Sequence, residues 1–154
     1  MRDSNQFEGY VKYVLGFILS FFLWGTCQAE IVSVISETAE LRSKPSPTNS
    51  YVVMQVPRYY PLSVQASRGD YYEVRDFQDH RGWIHKSMVD HSRSVVVEVD
   101  RMNVRKGPGT NYPVTFHAYQ GVVFRVMGEK GLWLEVEHED GERGWVSSSL
   151  TWGQ

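Results

Sequence analysis

From residue 30 onward, apolar positions come in short runs that alternate with polar ones. No stretch carries the three-to-four-residue period of an amphipathic helix. In the C-terminal half, Val95-Val96-Val97-Glu98-Val99 and Met102-Asn103-Val104-Arg105 precede Gly107-Pro108-Gly109, and Val122-Val123-Phe124-Arg125-Val126-Met127 follows. Gly128-Glu129-Lys130-Gly131 predicts a turn into Trp133-Leu134-Glu135-Val136-Glu137. Asp140-Gly141 predicts a hairpin that returns through Arg143-Gly144-Trp145-Val146. The N-terminal half follows the same plan. Ile31–Ile35 and Leu62–Ala66 read as strands, Arg68-Gly69-Asp70 turns into Tyr71-Tyr72-Glu73-Val74, and a hairpin from Phe77 to Arg81 closes on Gly82-Trp83-Ile84. Each half ends in a Ser-containing segment, Lys86–Val89 and Ser147–Leu150, that reads as one turn of 3-10 helix. Short strands at this spacing predict an all-β fold of small barrels or sandwiches.

The two halves are copies. Gly82-Trp83-Ile84 and Gly144-Trp145-Val146 lie about 62 residues apart, and so do Tyr71 and Trp133 at the preceding strand start. Length alone would suggest one domain, but the repeat predicts two, at residues 30–90 and 95–154. Modules of roughly 60 residues bury only about 60% of their unfolded surface, so their large side chains matter. The link, Asp90 to Ser94, is short and lacks Gly and Pro, which predicts two units held in a fairly fixed arrangement.

Residues 1–29 differ in kind. Val14 to Trp24 is an uncharged apolar run, followed by Gly25-Thr26-Cys27-Gln28-Ala29 with small residues at the −3 and −1 places of a cleavage site. The run is short for a membrane span, which takes about 20 apolar residues. The segment reads as a cleaved signal peptide, with an uncleaved anchor as the other reading. Ile31–Ile35 already reads as a strand, leaving no spacer between an anchor and the first module. Cys27 is the one cysteine, so a cleaved chain would hold no disulfide, thiol nucleophile or thiolate metal site. The expected place is the periplasm or the medium, with no membrane contact after cleavage. A net charge of −2 without clustered Lys and Arg argues against a nucleic-acid partner.

Candidate binding residues are aromatic or carry a planar cation. Burying an aromatic ring contributes up to roughly 4–6 kcal/mol, so Trp83 and Trp145 read first as core. Trp133 and Tyr71 start strands beside turns, and core or ligand contact stays open for both. Arg105 and Arg42 are placed either to tie down loop carbonyls, the first reading, or to meet a ligand carboxylate. Asn111, Tyr112 and Tyr119 follow the glycine loop and combine ring surface with polar tips, as a recognition patch does. Tyr51, Tyr59 and Tyr60 are their counterparts in the first copy. Catalysis has little support: the five histidines lack metal-binding spacing, Ser147-Ser148-Ser149 lacks a Gly-x-Ser-x-Gly setting, and Glu139 and Glu142 fall in a hairpin. No cofactor or metal site is expected.

Asn103-Val104-Arg105-Lys106-Gly107-Pro108-Gly109-Thr110-Asn111-Tyr112-Pro113, then Gly121, Trp133, Val136 and Gly144-Trp145-Val146, resembles the bacterial SH3 domain (SH3b). The first copy matches in Leu41-Arg42, Tyr71, Val74 and Gly82-Trp83-Ile84. It has Lys44-Pro45-Ser46 in place of Gly-Pro-Gly, and its loop to Tyr51 is two residues longer. The resemblance implies two tandem, partly open SH3-like barrels of five to seven strands, in an exported protein. Such domains are often fused to cell-wall hydrolases and bind peptidoglycan, commonly its peptide part. Only Thr151-Trp152-Gly153-Gln154 follow the second copy, so a non-catalytic tandem binding protein is expected, recognising peptidoglycan or its peptide stems. The alternative is a periplasmic protein–protein module, an adaptor or an inhibitor of an envelope enzyme.

Overall fold

The structure is a computed structural model and describes residues 29–154. The expected signal segment, apart from its last position, lies outside the described residues. Strands β1 (Ile31–Val34), β2 (Thr38–Arg42), β3 (Val52–Pro57), β4 (Pro61–Arg68), β5 (Tyr71–Arg75), β6 (Arg81–His85) and β7 (Val89–Asp90) form one seven-stranded sheet, in the order β3-β2-β6-β5-β4-β1-β7. The second sheet repeats it with β8 (Ser94–Val97), β9 (Arg101–Arg105), β10 (Val114–Tyr119), β11 (Val123–Lys130), β12 (Trp133–Glu137), β13 (Arg143–Ser147) and β14 (Thr151–Gly153), in the order β10-β9-β13-β12-β11-β8-β14. Neighbouring strands run antiparallel, and single 3-10 turns occupy Lys86–Met88 and Ser148–Leu150. Among the described residues no helix is long and apolar enough to cross a membrane.

Period-two alternation builds each core. Leu134 and Val136 of β12 point inward opposite Val146 and Gly144 of β13, and Met102 and Val104 of β9 join them with Phe124. Leu41, Leu62, Val74 and Ile84 do the same in the first sheet. Five strands escape the sequence pattern, the first of them β2. β3 and β10 are sheet edges that each bury one apolar residue, Val56 and Ala118, while β7 and β14 are only two and three residues long. β11 also runs into its expected turn, whereas β4 ends at Arg68 and turns at Gly69-Asp70 as expected. A register shift between Val126 and Gly128 absorbs Gly128-Glu129-Lys130 into the strand, and the turn falls on Gly131-Leu132 instead.

Alternation also corrects the reading of the repeated tryptophans. In β6 and β13 it is Gly82 and Ile84, and Gly144 and Val146, that face the core. Trp83 and Trp145 lie half-buried on the outer face. Each pairs with an arginine across the crossing strand, Trp83 with Arg42 and Trp145 with Arg105. The glycines permit that crossing. A Cβ at Gly144 would sit 2.4 Å from Val104 Cγ1 and 3.0 Å from the Arg105 carbonyl oxygen, and one at Gly82 would sit 2.8 Å from Leu41 Cβ.

The two sheets pack against each other. Val95 and Val97 of β8 belong to the second core, while Val96 turns the other way and joins the first, with Val123 and Trp152. The β8 strand is therefore buried on both faces. Where the second copy has Trp152 the first has Asp90, so the contact is one-sided rather than a mirrored pair. Ser33 and Ser94, both fully buried, share a hydrogen bond across the junction, and Ser33 Oγ also donates to the Ser92 carbonyl at 2.5 Å.

A clasp unique to the first copy fixes the β5–β6 hairpin. Buried Asp76 accepts from the backbone N–H groups of Gln78 and His80 at 2.9 and 2.8 Å, and from the Tyr60 hydroxyl at 3.1 Å. Tyr60 is thus an interior residue with its tip bound, and not the surface counterpart of Tyr112. Burial, then the Asp76 carboxylate, pushes its phenol above the ordinary value of about 10.

Two outcomes are expected. Gly144→Ala should cost about 1–3 kcal/mol in urea unfolding, because the crossing strand must shift; an unchanged midpoint would contradict the close crossing. The raised Tyr60 means that the folded state holds its proton longer than the unfolded state. Its contribution is complete below about pH 10 and is lost as pH rises above it. Tyr60→Phe should flatten that alkaline loss of stability, and an equally steep profile in the variant would refute the assignment.

Candidate functional site

On the outer face beside each Gly-Trp crossing lies an open cleft, about 340 Å³ in the first copy and about 300 Å³ in the second. The two are built from matching positions. Thr38, Glu40, Arg42, Tyr71, His85 and Met88 line the first; Arg101, Asn103, Arg105, Trp133, Ser147 and Leu150 line the second. The strand pairing explains why. Residues 38, 40 and 42 of β2, like 101, 103 and 105 of β9, alternate with the buried residues and so face outward. The first residue of β5 pairs with the last of β6, placing Tyr71 beside His85, and Trp133 sits beside Ser147 in the same way.

Tyr71 and Trp133 are half-buried and line the clefts, so neither is a core residue. The Tyr71 ring meets the His85 ring edge-on, with centroids 5.1 Å apart at 85°. His85 Nδ1 also lies 2.7 Å from Ser87 Oγ, while in the second copy the matching pair is Ser147 and Ser149, 2.9 Å apart.

The arginines are loop tethers first. Arg105 Nη1 donates to the Thr110 and Tyr112 carbonyls at 3.1 and 2.8 Å. Arg42 is more heavily engaged: Nε donates to Ser50 Oγ at 2.8 Å, Nη2 to the Ser50 carbonyl at 3.1 Å, and Nη1 to Glu40 at 2.5 Å. This bonding places Ser50, not Tyr51, where Tyr112 lies in the other copy. Likewise the Tyr51 carbonyl accepts from Ser43 N–H as the Pro113 carbonyl accepts from Lys106 N–H. Tyr51 is exposed at 71% and outside the cleft, and Tyr59 lies at the junction, its ring 5.8 Å from the Arg125 guanidinium carbon.

The glycine loop of the second copy has a local cause. The Tyr112 ring lies over Gly107, where a Cβ would come within 2.4 Å of Cδ1, and Asn111 Oδ1 would be 2.5 Å from a Cβ at Gly109. Close approach, rather than positive φ, demands these glycines, since neither has φ above zero. The first copy places no such ring there and needs no Gly-Pro-Gly.

Of the expected binding residues, the clefts bring together Arg105, Trp133 and, in the first copy, Tyr71. Asn111 and Tyr112 stay exposed on the adjoining loop. Tyr119 is exposed at 57% on β10, opposite Arg101 at the cleft's far end. Sequence reading missed Arg101, Asn103, Ser147, Glu40 and His85. The usable signal was alternation with buried Met102, Val104 and Val146, which puts these positions on one outer face.

Among known proteins, the bacterial SH3 domain family matches residues 36–91 and 98–153. YrvJ of Bacillus subtilis, named as an N-acetylmuramoyl-L-alanine amidase, is 40% identical over 55 residues, which is 36% of this chain and 11% of that protein. LytH of Staphylococcus epidermidis, named as a cell wall amidase, is 31% identical over 62 residues, 40% of this chain and 21% of that one. The chain thus spans about a fifth or less of the curated relatives it matches. Among solved structures, NlpC2 from Trichomonas vaginalis aligns with a TM-score of 0.38 at 9% identity, over 82% of this chain and 48% of that one. An NlpC/P60 family protein from Bacillus cereus aligns at 0.36 and 11% identity, over 80% and 56%.

Proposed function

The chain belongs to the bacterial SH3 domain family, in two tandem copies, and from that premise we propose an exported, non-catalytic protein that binds cell-wall peptidoglycan or its peptide stems. The observation that carries this reading is the cleft built twice at matching positions, each with a half-buried aromatic residue, an arginine and small polar side chains. Such a surface can grip an extended chain by ring contact and hydrogen bonds. The matched segments of YrvJ and LytH are about one repeat long, which fits a wall-binding module carried by enzymes named as wall amidases. The apolar run Val14–Trp24 supports export to the periplasm or medium.

The binding units are residues 30–90 and 95–154. Arg105, Trp133 and Tyr71 contact the ligand within the clefts, and Asn111, Tyr112 and Tyr119 extend the surface of the second. The packed junction through Val96, Val123 and Trp152 holds the clefts in one relation, so a polymer that reaches both gains from high effective concentration.

The protein should co-sediment with purified sacculi, and Trp133→Ala should weaken that binding about tenfold or more while leaving the unfolding midpoint near the parent value. Retention in the supernatant at low salt with walls of either Gram type would end this reading. A stoichiometric protein partner captured from envelope extract, with no sacculus binding, would instead establish the adaptor or inhibitor alternative.

A further inference from the structure

The two clefts differ at two charged positions, Glu40 against Asn103 and Thr38 against Arg101, and the difference changes what their arginines can do. In the first copy the chain itself engages all three nitrogens of the Arg42 guanidinium. Ser50 takes Nε and Nη2, and the Glu40 carboxylate takes Nη1 at 2.5 Å. Glu40 lies two residues before Arg42 on the outward face of β2, and the matching position on β9 is Asn103. Among the described residues no carboxylate lines the second cleft. Arg105 spends Nη1 on two loop carbonyls, and among the described residues its Nε and Nη2 have no partner.

A second cation stands on the same face. Arg101 Nη2 lies 2.7 Å from His117 Nε2, which accepts because a guanidinium only donates. The second cleft therefore presents two guanidinium groups beside the Trp133 ring, with no internal anion. The first holds one guanidinium, already neutralised.

We propose that the second cleft recognises a carboxylate of its ligand, such as the free C-terminus of a peptide. In this reading the ligand's carboxylate pairs with the Nε and Nη2 groups of Arg105, much as the Glu40 carboxylate pairs with Nη1 of Arg42. The first cleft, with its arginine internally paired, binds without reading that charge. This deepens the wall-binding proposal by naming what one of its two clefts selects. Charge-assisted hydrogen bonds from a guanidinium to a carboxylate are the strong, geometrically specific kind.

The test uses the full protein, an N-acetylated dipeptide with a free C-terminal carboxylate, and the same dipeptide amidated. Nuclear magnetic resonance follows the Trp133 indole N–H and the Arg105 side chain. The free acid should shift both signals and bind about tenfold or more tighter than the amide. Asn103→Glu, on an exposed outward position, should abolish the preference by giving Arg105 an internal carboxylate. Conversely, Glu40→Asn should create a response to the free acid at Tyr71, where the parent shows none. Equal shifts from acid and amide, or a preference that survives Asn103→Glu, would overturn the inference. Sacculus sedimentation on the same variants separates the two proposals. Sacculus binding with no acid preference leaves the wall reading standing and removes this one. Acid preference without sacculus binding does the reverse.

Discussion

Each barrel depends on one crossing, where a strand carrying Gly-Trp passes directly over the strand carrying the arginine. A methyl carbon on Gly144 would stand 2.4 Å from Val104 Cγ1, so the gap leaves room for hydrogen and nothing larger. That closeness brings β13 onto β9 and β6 onto β2, and it sets which residues face out. With glycine pointing inward, the next residue must point outward, so Trp83 and Trp145 stand beside Arg42 and Arg105. The clefts lie along that same outer face. The β6–β2 and β13–β9 pairings and the position of the clefts are thus two results of a single steric constraint.

On this shared frame the copies have diverged at the loop and at the junction. A tyrosine ring over Gly107 gives the second copy its glycine loop; a serine in the matching place gives the first copy an extra hold on its arginine. At the junction, Trp152 reaches the first core, while the equivalent Asp90 lies exposed. The β8 strand, apolar at three consecutive positions, serves two cores at once. A strand with one wet face would alternate, and Val95-Val96-Val97 does not.

Much of the fold was legible in the chain. The Asp140-Gly141 hairpin, the strands that end in Gly-Trp and the 3-10 turns all follow from local chemistry, and the 62-residue period exposed the duplication. The edge strands β3 and β10 were not legible, because burying one side chain each leaves no alternating signature. The tryptophans misled for another reason. Size argued for burial, but the register set by the neighbouring glycine placed them outward. Tyr60 misled in the opposite direction, since its polar tip suggested a surface role while Asp76, sixteen residues later, supplies a buried partner.

The amino-acid order by itself settled the family and the count of two copies, because repeats, turns and alternation are local properties. Tertiary structure alone decided which side chains meet in a cleft. Arg105, Asn103, Trp133 and Ser147 lie on three different strands, and only antiparallel pairing across the glycine crossing gathers them into one cleft. It also decided that Arg42 is engaged at all three nitrogens and Arg105 at one, since a guanidinium's free donors depend on what the folded chain brings within hydrogen-bond reach.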